Sequence, residues 1–191
     1  MIKNYKEIFF NTPVIECDDV ILRRHIPADA KAILQYGRDE ETLKYLDWIG
    51  ADNIEDAKAS IYDHFWSNPC AYAIALKDTN LCIGAIDIRP EYSNDKATFG
   101  YVLDRAYWGR GYMSQALSAM LDMCFNQIEI NKIEAGHYDD NYGSGRVMEK
   151  CGMKKEGVSP QHKIVKGKYV DVITYGILKK DYIQSQKGEQ N

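Results

Sequence analysis

Two short stretches carry the residue types that could do chemistry. The first is "WGRGYMS", Trp108 to Ser114, set between an apolar run, "ATFGYVL", and a segment with helical periodicity. The free N–H groups at the start of a helix, with glycines that let a ligand come close, make an anion cradle. Gly109 and Gly111 alone serve turn geometry equally well, and Arg110 alone serves as a solvated charge. The second stretch is "NYGSGRVMEKCG", in which Asn141 and Ser144 stand three apart where a helix begins, the spacing of an N-cap pair. The remaining reactive types are dispersed. His25, His64, His137 and His162 have no histidine or cysteine partner at ligand spacing, and Cys17, Cys70, Cys82, Cys124 and Cys151 form no CxxC pair. No metal site is expected, and reduced thiols of a cytoplasmic protein are the simpler reading.

The elements that must position these residues follow from pattern. "DVILRRHIP" reads as a strand stopped by Pro27, and "ADAKAILQYGRDEETLKYLDW" as one or two short helices. Asn53 followed by Asp56 caps a helix whose buried stripe is Ile54, Ala57, Ile61 and Phe65. "CAYAIALKDTNLCIGAIDIRP" is a hairpin turning at "KDTN", and "ATFGYVL" is a third strand. After the glycine turn, Met113, Ala116, Leu117, Met120, Leu121, Cys124 and Phe125 recur at helical spacing. "NKIEAGHY" is a strand, "SGRVMEKCG" a helix closed by Gly152, and "QHKIVKGKYVDVITYGIL" a hairpin turning at Lys166-Gly167. The order is mixed α/β with a strand-helix-strand crossover. The 191 residues fit a single domain, 1–191, with the polar stretch 183–191 as a flexible tail.

Composition narrows the function classes. Lys and Arg number 24 against 28 Asp and Glu, a net charge of −4, which gives no basic footprint for nucleic acid. No apolar run is long enough for a membrane helix, and "MIKNYKEIFF" lacks the apolar segment of a secretory leader. Two nucleotide fingerprints fail. A dinucleotide GxGxxG would need glycine where Ser114 stands, and no GxxxxGK[ST] string occurs.

The run "FGYVLDRAYWGRGYMSQAL", then "NYGSGRVMEKCGMKKEG", then "GKYVDVITYGIL" resembles the GNAT superfamily of acyl-CoA-dependent N-acetyltransferases, in the branch typified by ribosomal-protein N-terminal acetyltransferases. The resemblance runs from "VILRRHIPAD" to "VITYGILKKDY". It implies an α/β (α+β) fold with a mixed, mostly antiparallel sheet flanked by helices and a splayed strand pair at the acetyl-CoA site. It places the pyrophosphate loop on Trp108 to Met113, with backbone N–H groups of Arg110 to Ser114 as donors and Trp108, Gly109, Gly111 and Tyr112 matching the branch. Val102 and Leu103 would pair with the pantetheine arm like an added strand. Asn141 would bond that arm, Ser144 would stand near the sulfur, and Lys150 would reach the phosphates.

Two family positions differ here. The tyrosine acid expected seven residues after Asn141 is Met148, and the glutamate expected two before Gly100 is Thr98. Ser144 is therefore the candidate for thiolate stabilisation, with Asp87, Glu91 or Asp95 as candidate bases acting through water, Asp87 foremost; an amine that arrives neutral needs none. Tyr36, Tyr45, Trp48 and Trp66 are candidates to line the acceptor groove, and Asp171 and Tyr175 to shape it. The expected activity is direct acetyl transfer from acetyl-CoA to a peptide N-terminus or a small amine, by a monomer or homodimer without metal. The competing reading is a CoA-binding sensor or interaction module that has lost catalysis.

Overall fold

The computed structural model describes residues 4–188. Its elements in chain order are α1 (Tyr5–Asn11), β1 (Val14–Glu16), β2 (Val20–Arg23), α2 (Ala30–Tyr36), α3 (Glu40–Leu43), α4 (Ile54–Ala59), β3 (Ala71–Leu76), β4 (Cys82–Glu91), β5 (Lys96–Leu103), α5 (Tyr112–Asp122), β6 (Lys132–Tyr138), α6 (Tyr142–Lys150), β7 (Lys154–Val165), β8 (Lys168–Leu178) and α7 (Lys179–Gly188). Eight strands form one sheet in the order β1-β2-β3-β4-β5-β6-β8-β7. Every pair is antiparallel except β5 with β6, the pair joined through α5. A parallel pair needs such a crossover, and α5 supplies it.

Local chemistry sets the helix ends. The Asn53 carboxamide accepts the N–H groups of Glu55 and Asp56 at 2.9 and 3.0 Å, which starts α4. Gly152 takes a φ of +82° after α6, with its N–H on the Glu149 carbonyl and that of Met153 on Met148, so the exposed carbonyls of the last turn are bonded. Lys166 and Gly167 both have positive φ, the twist that joins two antiparallel strands tightly.

Helices cover both faces of the sheet. On one side Met113, Ala116, Leu117, Met120 and Leu121 of α5 lie buried over Ile86, Ile88, Phe99 and Leu103. At about 1.5–3 kcal/mol for each such side chain removed from water, this stripe is what holds the helix start beside β5. On the other side Ile33 and Tyr36 of α2 meet Ala57 of α4 and Ile61 in the turn that continues it.

The stretch expected as a tail from 183 overlaps the end of α7, which runs to Gly188, and Tyr182 just before it packs on Phe125 with ring centroids 5.0 Å apart. Residues 189–191 lie outside the described residues. Two expectations are corrected. The two long helices read from periodicity widen into π turns at Ser60–Phe65 and Met123–Ile128. The hairpin expected from residue 161 starts at Lys154, with register shifts around Pro160, which cannot donate to a ladder.

Candidate active site

The site begins as a fork in the sheet. β5 and β6 pair only over Lys96–Thr98 and Lys132–Glu134. Beyond Thr98, β5 stays on β4 as far as Leu103 while β6 stays on β8 as far as Tyr138, so the two strands diverge. The direction of the backbone groups in the opening follows from alternation. The Asp104 N–H donates toward β4, to the Ile83 carbonyl, so Val102 and Gly100 also face β4, and Phe99, Tyr101 and Leu103 turn their N–H and C=O into the fork. Of the two residues expected to offer backbone there, Leu103 does and Val102 does not; Val102 packs on the α2 and α4 cluster instead. The Leu103 carbonyl already accepts the Trp108 indole N–H at 2.8 Å, which places Trp108 at the mouth of the fork as a brace.

The glycine turn stands at the same end. Gly109 and Gly111 have φ of +75° and +84°, the left-handed region where a side chain costs roughly 1–2 kcal/mol. Gly111 is the N-cap of α5 with no side-chain cap, which leaves the first-turn amides from Tyr112 to Ser114 without one. A Cβ at Gly111 would stand 3.8 Å from the Lys150 ammonium, so the lysine hangs over the cradle and adds positive charge to the helix end. Arg110 turns away, its guanidinium over the Tyr107 ring and bonded to the Ala106 carbonyl. The positive charge beside the loop is therefore that of Lys150, from the end of α6, and not that of Arg110.

Across the fork lies the start of α6. The Asn141 carboxamide oxygen caps the helix by accepting the Ser144 N–H at 3.3 Å. The Ser144 hydroxyl stands 2.5 Å from the Tyr101 hydroxyl, which also donates to the Ser144 carbonyl at 3.3 Å. Burial pushes the Tyr101 phenol up to about 12, while its bond to Ser144 opposes the rise. Sequence reasoning missed Tyr101. The available signal was the alternation of Phe99, Tyr101 and Leu103 on one face of a strand, where a hydroxyl among apolar neighbours needs a partner. Met148, at the position of the absent acid, is fully buried core.

On the opposite face of β5 the carboxylates are paired. Asp87 accepts two bonds from Arg89, at 2.9 and 3.0 Å, and a longer one from Asn68. Gly100 makes room for that pair, since a Cβ there would lie 2.6 Å from the guanidinium. Glu134, in register with Thr98 at the apex of the fork, is held below its ordinary pKa by bonds from Lys132 and Lys96. Glu91 takes Lys96 at 3.7 Å, and exposed Asp95 ends a tight turn at φ +49°. Toward the end of β6, Tyr138 donates to Asp47 at 3.1 Å, Lys163 holds the other Asp47 oxygen at 3.0 Å, and Tyr45 leans on Tyr138. Tyr45 and half-buried Trp48 stand on this side. Tyr36 is fully buried and is corrected to core, and Trp66 reaches back to the His25 carbonyl. Tyr175 ties β8 to α6 through Glu149, and Asp171 accepts the Gln161 N–H.

Two further groupings bear on the chemistry. His25, Asp29 and Cys82 bring possible metal-ligand atoms within 4.8 Å of one another. Asp29 is already bound through both oxygens to the Arg23 guanidinium at 2.8 Å, whose charge opposes a cation. His25 is drawn down to about 4 by burial, so it is neutral beside Asp29. The cysteines are equally unsuited to nucleophilic work: burial raises the thiols of Cys17, Cys70, Cys82, Cys124 and Cys151 above the ordinary value.

Residues 19–154 match the family model described as the acetyltransferase (GNAT) domain. The uncharacterized N-acetyltransferase p20 of Bacillus licheniformis is 28% identical over 166 residues, 84% of this chain and 93% of the relative. A solved GNAT-family acetyltransferase from Bacillus anthracis superposes with a TM-score of 0.79 at 25% identity, over 87% of this chain and 99% of that one. RimL, a ribosomal-protein α-N-acetyltransferase in complex with coenzyme A, gives a TM-score of 0.73 at 23% identity over 86% of this chain and 97% of its own. At that identity the last likeness is one of fold.

Proposed function

The chain belongs to the acetyltransferase (GNAT) family, and from that premise we propose that it transfers the acetyl group of acetyl-CoA directly to a primary amine, on a protein N-terminus or a small molecule, with both substrates bound at once. One observation carries the proposal: β5 runs on from Thr98 to Leu103 without β6 beside it, with the Ser144 hydroxyl against Tyr101 of that edge and the Gly111 turn following the strand.

In this reading the pyrophosphate sits on the amides of Tyr112 to Ser114 with Lys150 above, and the pantetheine amides add to the free edge of β5 as a short strand. Asn141, whose oxygen caps α6, has its amide N–H groups for the same arm. Gly109 and Met113 shape the loop, Trp108 braces it, and Arg110 contributes its backbone. The amine attacks the acetyl carbon, an N–C bond forms, the C–S bond breaks, and the electron pair leaves on the sulfur, where Ser144 donates a hydrogen bond. The proton lost by the amine passes to solvent. Asp87 contributes by holding Arg89 over Gly100, because its charge is already balanced, as are those of Glu91 and Glu134.

Ser144→Ala tests the assignment. Release of free thiol from acetyl-CoA, measured with a panel of peptide and small amines, should fall by at least about tenfold, since a hydrogen bond to a charged group is worth about 1.5–3 kcal/mol. Acetyl-CoA affinity should stay within about twofold of wild type. A loss confined to affinity would remove Ser144 from the chemistry. The second reading, a CoA-binding module without turnover, draws on buried Met148 and on the paired carboxylates. It predicts CoA binding with no thiol release on any amine of the panel.

A further inference from the structure

We propose that Arg89 binds a carboxylate of the acceptor, which makes the acceptor a free α-amino acid rather than a peptide N-terminus. The inference deepens the acetyl-transfer reading and rests on it. Asp87 and Arg89 stand on β4 opposite Gly100 and Thr98 of β5, and Thr98 is the last β5 residue paired with β6. By alternation their side chains share the face of half-buried Gly100 and Val102, whereas Phe99, Tyr101 and Leu103 face α5 and α6 on the other side. Those helices fill their side, so an amine reaches the fork from the face of Arg89. Gly100 admits the guanidinium there: a Cβ would stand 2.6 Å from Nη2 and 3.1 Å from the Asp87 carboxylate.

The guanidinium is fixed on one edge and open on the other. Nε donates to Asp87 at 2.9 Å and Nη2 at 3.0 Å, a bidentate grip by a carboxylate that is only 8% exposed, while the arginine side chain is 62% exposed. Nη1 and the outer hydrogen of Nη2 have no acceptor among the described residues. Asp47, the next carboxylate in range, is held below its ordinary pKa chiefly by its bond from Lys163 and in part by the Arg89 charge. Its two oxygens are bonded to Tyr138 and Lys163, so it does not close the free edge. A planar edge of N–H donors held still in this way matches a carboxylate. In an α-amino acid the carboxylate and the amine share one carbon, so a carboxylate on Arg89 sets the amine beside Gly100, where the strands part. A peptide N-terminus has a neutral carbonyl at that place, and its chain would run on into the guanidinium.

The test compares the common L-amino acids, each as the free acid and as its carboxamide, by thiol release from acetyl-CoA in wild type, Arg89→Gln, Arg89→Lys and the double variant Asp87→Asn with Arg89→Gln, with thermal melting alongside. The carboxamide stands in for a peptide N-terminus. Its amine also loses a proton more readily, having no negative charge beside it, so a preference for the acid comes from recognition. Wild type should give at least one acid a kcat/KM about tenfold or more above that of its carboxamide. Arg89→Gln should bring that pair to parity or below, and Arg89→Lys, which keeps the charge without the planar fork, should fall between. The double variant leaves no unpaired buried carboxylate and should show the same lost preference if Arg89→Gln alone folds poorly. Parity or below for every pair in wild type would overturn the proposal. So would an equal loss on acid and carboxamide in the Arg89 variants, the result of a purely structural role. Thiol release with other amines but with no free acid would overturn it and leave the acetyl-transfer reading, whereas no release with any amine would remove both.

Discussion

The polar cluster beside α2 and the one at the start of α6 differ in where their hydrogen bonds end. Beside α2, Arg23 gives Asp29 two bonds, Asp29 also takes the Ile26 N–H, and Arg23 reaches Asn80, so the charges are consumed within the fold. At α6, Asn141 and Ser144 complete a cap, yet they sit opposite a strand whose backbone has left its neighbour. The Arg23–Asp29 pair is buried, whereas Asn141 and Ser144 are half-buried. The open ladder beside the second cluster distinguishes them further. A cluster saturated by its own members contributes stability, and one with donors facing an unpaired strand edge contributes binding.

Breaking the closed cluster should give the largest effect. Asp29→Ala strands a buried guanidinium and should cost about 3–5 kcal/mol of stability by chemical denaturation, with acetyl-CoA affinity unchanged where the variant is folded. The same cluster predicts a pH dependence. His25 binds its proton near 6.5 when unfolded and near 4 when folded, so the unfolded chain holds the extra proton between those values. Stability should therefore fall as pH drops from about 6.5 to about 4, by up to about 3 kcal/mol, and His25→Phe should flatten that window.

The open cluster should respond in binding instead. Gly111→Val places a β-branched side chain at φ +84° and covers the approach to the amides, so acetyl-CoA affinity by calorimetry should drop at least about 30-fold with the circular dichroism spectrum kept. Undiminished binding would disprove the cradle. Lys150→Ala should weaken binding about fivefold at low salt, and the difference should shrink as salt rises, because the lysine is exposed. Asp87→Asn sharpens the comparison furthest: as an ion-paired carboxylate it should change kcat/KM less than about tenfold, whereas loss of a general base costs about 100-fold or more.

Much of the fold was legible in the residues. The α5 stripe from Met113 to Phe125 buries as its spacing requires, Asn53 and Gly152 bound their helices, and Lys166-Gly167 turns the last hairpin. Local rules decide these, because a cap or a turn is settled within a few residues. Three-residue β1 and the long β7 were not legible, since their length depends on pairing across the sheet. In the site, the glycine turn and the Asn141–Ser144 spacing stood in the sequence. Tyr101 did not, because its partner lies 43 positions away.

The sequence by itself determined the order strand, glycine turn, helix and the residue types at each, down to the glycine that begins α5. Tertiary structure alone decided which groups face it. The parting of β5 from β6 after Thr98 selects Leu103 over Val102, and pairing with Arg89 or lysines balances the charge of Asp87 and Glu134. The proximity of Tyr101 to Ser144 decides the same way. The physical reason is that strand phase, ion pairing and hydroxyl contacts are properties of neighbours in space, which no local run of residues contains.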